Sequence, residues 1–134
     1  MSQENVEVVK RSVEAYLLGD IDAYLEELGD DAELDFSRAG GPYRGVHRGR
    51  EGARELFAGF QEAFSSITPL STEYMEVGDK VVLAARVRFR GRVSGVEVGG
   101  GGMGAVYTLR DGKIVRYEQF QSKAEALEAA GLRE

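Results

Sequence analysis

The sequence predicts a single α+β domain in which an antiparallel sheet packs over three N-terminal helices. Two patterns predict it. The first 64 residues carry three stretches of three- and four-residue apolar spacing around one clear period-two segment. From residue 70 the pattern becomes four successive strands punctuated by turn residues. A chain of 134 residues, 43% hydrophobic and 30% charged, has the size and composition of one globular domain and can bury a core without staples.

The elements follow in order. Val6, Val9, Val13, Tyr16 and Leu17 form the apolar stripe of a helix over 3–18, with Ser2 as a cap and Gly19 as its end. Asp20 caps a second helix whose buried face is Ile21, Tyr24, Leu25 and Leu28, closed by Gly29. Ala32, Leu34 and Phe36 then alternate with Glu33, Asp35 and Ser37, the pattern of a half-buried strand. Residues 38–49 are rich in glycine and read as a loop with a short strand at Tyr43–Val46. Helical spacing returns from Arg50, with Ala53, Leu56, Phe57, Phe60 and Phe64 on one face and Pro69 beyond its end.

Residues 70–77, 80–91, 96–109 and 113–121 read as strands of a meander, turned at Gly78-Asp79, Ser94-Gly95 and Asp111-Gly112. Ser122 and Glu125 form a capping box that opens a short helix ending at Gly131. A sheet face must be covered, so the three early helices are expected on the concave side, with the other face free of helices.

Composition excludes several functions. With no cysteine there is no disulfide, thiol nucleophile or cysteine-ligated metal, and one histidine cannot build structural zinc; no metal or cofactor is expected. A net charge of −6 argues against nucleic acid. Neither a secretion signal nor a membrane-spanning apolar run is visible, so a cytoplasmic protein away from membranes is expected.

Three segments carry a family resemblance. YLLGDIDAYLEELGDDAELDF, YRGVHRGREGARELFAGF and YTLRDGKIVRYEQFQSKAEALEAAGL resemble, in order and spacing, the SnoaL-like (polyketide cyclase-like) branch of the nuclear transport factor 2-like superfamily over nearly the whole chain. The resemblance implies a cone-shaped sheet, a cavity at its wide end and a homodimer through the outer sheet face. Its members range from isomerases and cyclases to non-enzymatic binding domains, so fold alone does not choose a function.

The ketosteroid isomerase pattern of that superfamily needs a tyrosine on the first helix and a carboxylate on the first strand. Here those places fall on Ser12 and Phe36, which disfavours that chemistry. Asp35 adjoins the second place, but neighbouring strand residues face opposite ways. It is either a general base turned inward by a bulge or a rim carboxylate paired with an arginine. His47, the sole histidine, is either a proton shuttle at the cone mouth or an ordinary loop residue.

Tyr16, Phe36, Phe57 and Phe60 are candidate walls for a ligand, besides being core aromatics. Tyr74, Tyr107 and Tyr117 are candidates for a hydroxyl aimed at it. Arg86, Arg88, Arg90 and Arg92 share one strand face, as an anion site or as a solvated surface paired with Glu73, Glu97 or Glu118. The glycine run 99–102 is either a bend that leaves volume unfilled or a loose hairpin end. Two functions stay open. One is binding of a small apolar molecule, with isomerase- or cyclase-type acid–base chemistry. The other is a non-catalytic binding or dimerisation domain.

Overall fold

The computed structural model describes residues 2–39 and 45–132. Its elements run α1 (Ser2–Leu18), α2 (Ile21–Glu26), β1 (Leu28–Asp35), β2 (Val46–Arg48), α3 (Gly49–Ala63), β3 (Phe64–Val77), β4 (Lys80–Gly91), β5 (Glu97–Arg110), β6 (Lys113–Phe120) and α4 (Lys123–Ala129). The strands form one sheet in the order β2-β1-β6-β5-β4-β3. All neighbours are antiparallel except β1 and β6, which run parallel.

The predicted signals sit where local chemistry put them. Gly19 adopts φ +75 between the first two helices, and the Asp20 carboxylate accepts from the Ala23 amide at 3.1 Å. Ser122 Oγ accepts from the Glu125 amide at 3.1 Å while Glu125 Oε1 accepts from the Gln121 amide at 3.0 Å. These bonds satisfy donors that a helix start leaves open.

Some boundaries move. Gly29 belongs to β1 rather than closing α2, because Leu28 already pairs with Ile114 across a ladder whose register shifts before Glu33. The polar Gly29-Asp30-Asp31 stretch hid that strand. The short strand expected at Tyr43–Val46 overlaps β2, Val46–Arg48, at Val46 alone; residues 43–44 lie outside the described residues. β3 starts at Phe64 rather than residue 70, and Pro69 lies within it, opposite Val87. Proline is tolerated there because β3 is an edge strand and the register shifts just after Pro69.

Helices occupy both faces, which corrects the expectation of one. α1, α2 and α3 cover the main core, built on Val9, Leu25, Leu34, Val81 and Ile114. A second core of Val82, Val106, Phe120, Ala126 and Leu127 lies under α4 on the opposite face. Gly104 permits that approach: a Cβ there would stand 2.5 Å from the Ser122 carbonyl oxygen. The run Val81–Ala85, buried throughout, already carried the sign of a strand covered on both sides.

Two bulges bend the sheet at one level. β3 spends an extra residue between Pro69 and Ser71 opposite Val87 and Arg86. β5 spends three steps, Gly99 to Gly102, where β4 spends two, Arg86 to Arg88. Bulges bend and further twist their strands, so β4 is flanked by bends on both sides at Val87. Gly99 is required there, with φ +105 and the Val87 carbonyl oxygen 2.6 Å from where a Cβ would stand.

The arginine row faces outward as its spacing predicted. Arg86, Arg88 and Arg90 are exposed, and Arg90 pairs with Glu97 at 3.0 Å. Glu73 and Glu118 bond instead to Lys123 and Arg116. Arg92 leaves the row: its guanidinium donates to the carbonyls of Gln61 and Phe64 at the end of α3. Among the described residues no helix is long and apolar enough to cross a membrane.

Candidate functional site

Beyond the bulges, the inner face of the sheet parts from the helices and encloses a cavity of about 360 Å³. α1 contributes Ser12 and Tyr16, α2 contributes Tyr24, and α3 contributes Leu56 and Phe60. The sheet supplies Phe36 just past β1, Ile67 and Thr72 from β3, Val87 and Phe89 from β4, Met103 and Tyr107 from β5, and Tyr117 and Gln119 from β6. Gly99 and Gly102 line it too, and a Cβ on Gly102 would meet only the Ala85 carbonyl oxygen, at 3.9 Å. Register sets Gly102 opposite the outward-facing Arg86, so it is its backbone that meets the cavity.

The deep wall is aromatic. Tyr107 and Tyr117 meet edge to face at 4.9 Å, Phe36 lies 5.5 Å from Tyr117, and Phe60 lies 5.9 Å from Tyr16. Polar atoms are few and tied down. Tyr117 O–H donates to Gln119 Oε1 at 2.7 Å, which leaves the Gln119 amide N–H groups to donate elsewhere. Ser12 O–H donates to the Val9 carbonyl at 2.7 Å. Burial pushes the Tyr24 phenol up to about 12. It also drives Tyr107 and Tyr117 well above the ordinary tyrosine value, with the neighbouring phenols adding to the effect. All three stay neutral at physiological pH.

Of the residues singled out in the sequence, Tyr16, Phe36, Phe60, Tyr107 and Tyr117 converge on this cavity. Phe57 does not line it; it packs behind Tyr16 and Tyr24 at 5.6 and 5.7 Å and borders a second hollow at the surface. Tyr74 also stands outside the lining, half-buried on β3 with Lys10 Nζ 5.4 Å from its ring.

Asp35 is not among the lining residues. Its carboxylate accepts from the Ser37 amide at 2.8 Å and pairs with Arg116 at 3.1 Å, in a cluster where Arg116 also bonds Glu33 and Glu118. Partial burial alone would raise its pKa, but the Ser37 hydrogen bonds and the Arg116 and Arg38 charges outweigh it and hold the carboxyl below the ordinary aspartate value. His47 stands one layer back, edge-on to the Phe36 ring at 6.2 Å, its Nε2 buried and unpaired among the described residues.

The wall also holds Ser12, Thr72 and Gln119, which the sequence reading does not single out for it, and Tyr24, which it places on the buried face of the second helix. Gln119 was within reach of that reading: two residues past Tyr117 on a strand, it must share that tyrosine's face.

The chain matches the SnoaL-like domain family over residues 9–117. No curated protein matches it. Among solved structures, a candidate polyketide cyclase from Xanthomonas campestris pv. campestris superposes with a TM-score of 0.78 at 19% identity, over 96% of this chain and 98% of that one. A nuclear transport factor 2-like protein from Burkholderia xenovorans LB400 gives 0.79 at 23% identity, over 97% of each chain. A cystatin-fold protein from Novosphingobium aromaticivorans gives 0.73 at 27% identity, over 90% of this chain and 98% of that one.

Proposed function

This chain belongs to the SnoaL-like family, and we propose that its cavity binds a small, largely apolar molecule and holds it without acid–base catalysis. One observation carries the reading: among the described residues, the lining contains no carboxylate, imidazole, amine or guanidinium. A general base must come within hydrogen-bond reach of the proton it removes. Asp35 spends its carboxylate on Arg116 and Ser37, and the Phe36 ring stands between His47 and the cavity. The phenols are held neutral, so they act as fixed hydrogen-bonding groups rather than as bases.

The dimensions fit a ligand of two or three rings. The cavity exceeds twice the roughly 150 Å³ of an engineered cavity that takes up benzene. Aromatic walls with a few placed polar groups are the usual construction of a small-molecule site. A solved structure similar in fold at 22% identity, TerC, was co-crystallised with polyporic acid, in keeping with an aromatic occupant. Gln119 supplies the recognition group in this reading, its amide N–H groups meeting a ligand carbonyl.

The test is saturable binding of a neutral apolar fluorophore, N-phenyl-1-naphthylamine, followed by mass analysis of the recovered probe and of any molecule that co-purifies. One probe bound per chain and recovered unchanged is the expected result. A folded protein that takes up no probe of one to three rings overturns the binding, and a chemically altered molecule overturns the absence of catalysis. We further propose the homodimer that the family resemblance implies; light scattering should give twice the 14.6 kDa chain mass, and a mass of one chain would refute it.

A further inference from the structure

We propose that the ligand is an amphipathic organic acid, its apolar body in the cavity and its carboxylate on Arg92 at the rim. The inference rests on the binding reading above and specifies the ligand class of that same site.

A second hollow of about 220 Å³ abuts the first and shares Tyr16, Leu17, Phe60 and Ile67 with it. The two differ in chemistry. The first is uncharged, whereas Gln61, Ser65, Ser66 and Arg92 give the second a polar wall. Among the described residues that line either hollow, Arg92 alone is charged, and no carboxylate lines either one to neutralise it. In a chain of net charge −6, a cation beside an apolar mouth is placed against the general trend.

Its geometry leaves donors to spare. Arg92 Nε donates to the Gln61 carbonyl at 2.9 Å and Nη2 to the Phe64 carbonyl at 3.2 Å. The Arg92 backbone amide donates to the Ala63 carbonyl at 2.9 Å. These bonds fix the guanidinium against the end of α3 and use two of its five N–H donors. The rest form a pre-set fork, the arrangement that recognises a carboxylate. Neighbouring Ser66 and Gln61 offer further donors in the same hollow.

Naphthalene carboxylic acids with side arms of increasing length, and their methyl esters, are the probes. We expect some arm length to give an acid that binds about tenfold more tightly than its ester, with the preference shrinking as salt rises, since the fork is exposed. Arg92→Gln should bring the acid-to-ester ratio near one, and Arg92→Lys should keep part of it. Equal binding of acids and esters by the wild-type protein overturns this proposal while leaving the binding reading intact, and needs no variant that folds. A preference that survives Arg92→Gln also overturns it. Failure of every acid and ester to bind overturns the earlier reading, and this one with it.

Discussion

The two ends of this sheet are made of the same strands yet do opposite things. At one end β4 presents Val81 to a solid core with Leu25, Leu28, Leu109 and Ile114. At the other, the same alternation continues through Val87 and Phe89, but these side chains face open space. Hydrophobic periodicity is equal at both ends, so it does not decide where a protein is filled. Backbone decides here: bulges on β3 and β5 bend the sheet from the helices at Val87, where Gly99 and Gly102 lend their backbones to the wall.

The contrast can be broken most forcefully at the closed end. Ile114→Ala, at a site 1% exposed, should cost about 2–5 kcal/mol in denaturant unfolding. Phe89→Ala at the open end removes more atoms yet should cost only about 1–2 kcal/mol, because one side of that ring meets a void. Equal losses would mean that both ends are packed alike.

Alkaline titration probes the wall between them. A phenol whose folded pKa is raised above its free value stabilises the fold fully below about pH 10, and that contribution disappears as pH climbs through the folded value. Tyrosinate absorbance should therefore lag for Tyr24 to about 12, and lag for Tyr107 and Tyr117 as well, with stability falling as they ionise. All six tyrosines ionising together near pH 10 in the folded protein would contradict the buried wall.

A smaller effect isolates the void itself. Val87→Phe enlarges a side chain that faces the open space, so folding should change little while probe affinity drops about tenfold. Unchanged affinity would show that this part of the wall is not where ligands lie. The smallest effect belongs to the outer face. Asp35→Asn should cost about 1 kcal/mol or less, as for a solvent-screened ion pair, and leave probe binding untouched. Its depressed pKa means that the wild-type contribution is present above the free aspartate value and is lost as pH falls through the folded one. An effect of Asp35→Asn on binding would bring that carboxylate back as a participant.

Much of this was legible in the sequence, for identifiable reasons. Helices and turns announce themselves through local chemistry, so Asp20, Ser122 and Gly19 were read correctly. Period two separated Arg86 and Arg88 from Val87 and Phe89. What stayed hidden depends on partners far along the chain. Leu28–Asp31 is a strand because β6 lies beside it, and Pro69 is tolerated because β3 has an edge. The site divided the same way. Tyr107 and Tyr117 carried their own signal, whereas the setting of Phe57 behind Tyr16, and of His47 behind Phe36, depends on packing that no spacing rule encodes.

The parallel pairing of β1 with β6 bears on how the molecule is made. A ribosome delivers β1 long before Lys113–Phe120 emerge, so for most of synthesis that strand has only the three residues of β2 to pair with. Its ladder, and the helices resting on it, must wait for nearly the last segment of the chain. Such late, distant closure slows folding and leaves strand edges open to other chains meanwhile. Nascent chains stalled before Lys113 should accordingly remain sensitive to protease throughout their first half, and become resistant together once β6 is released.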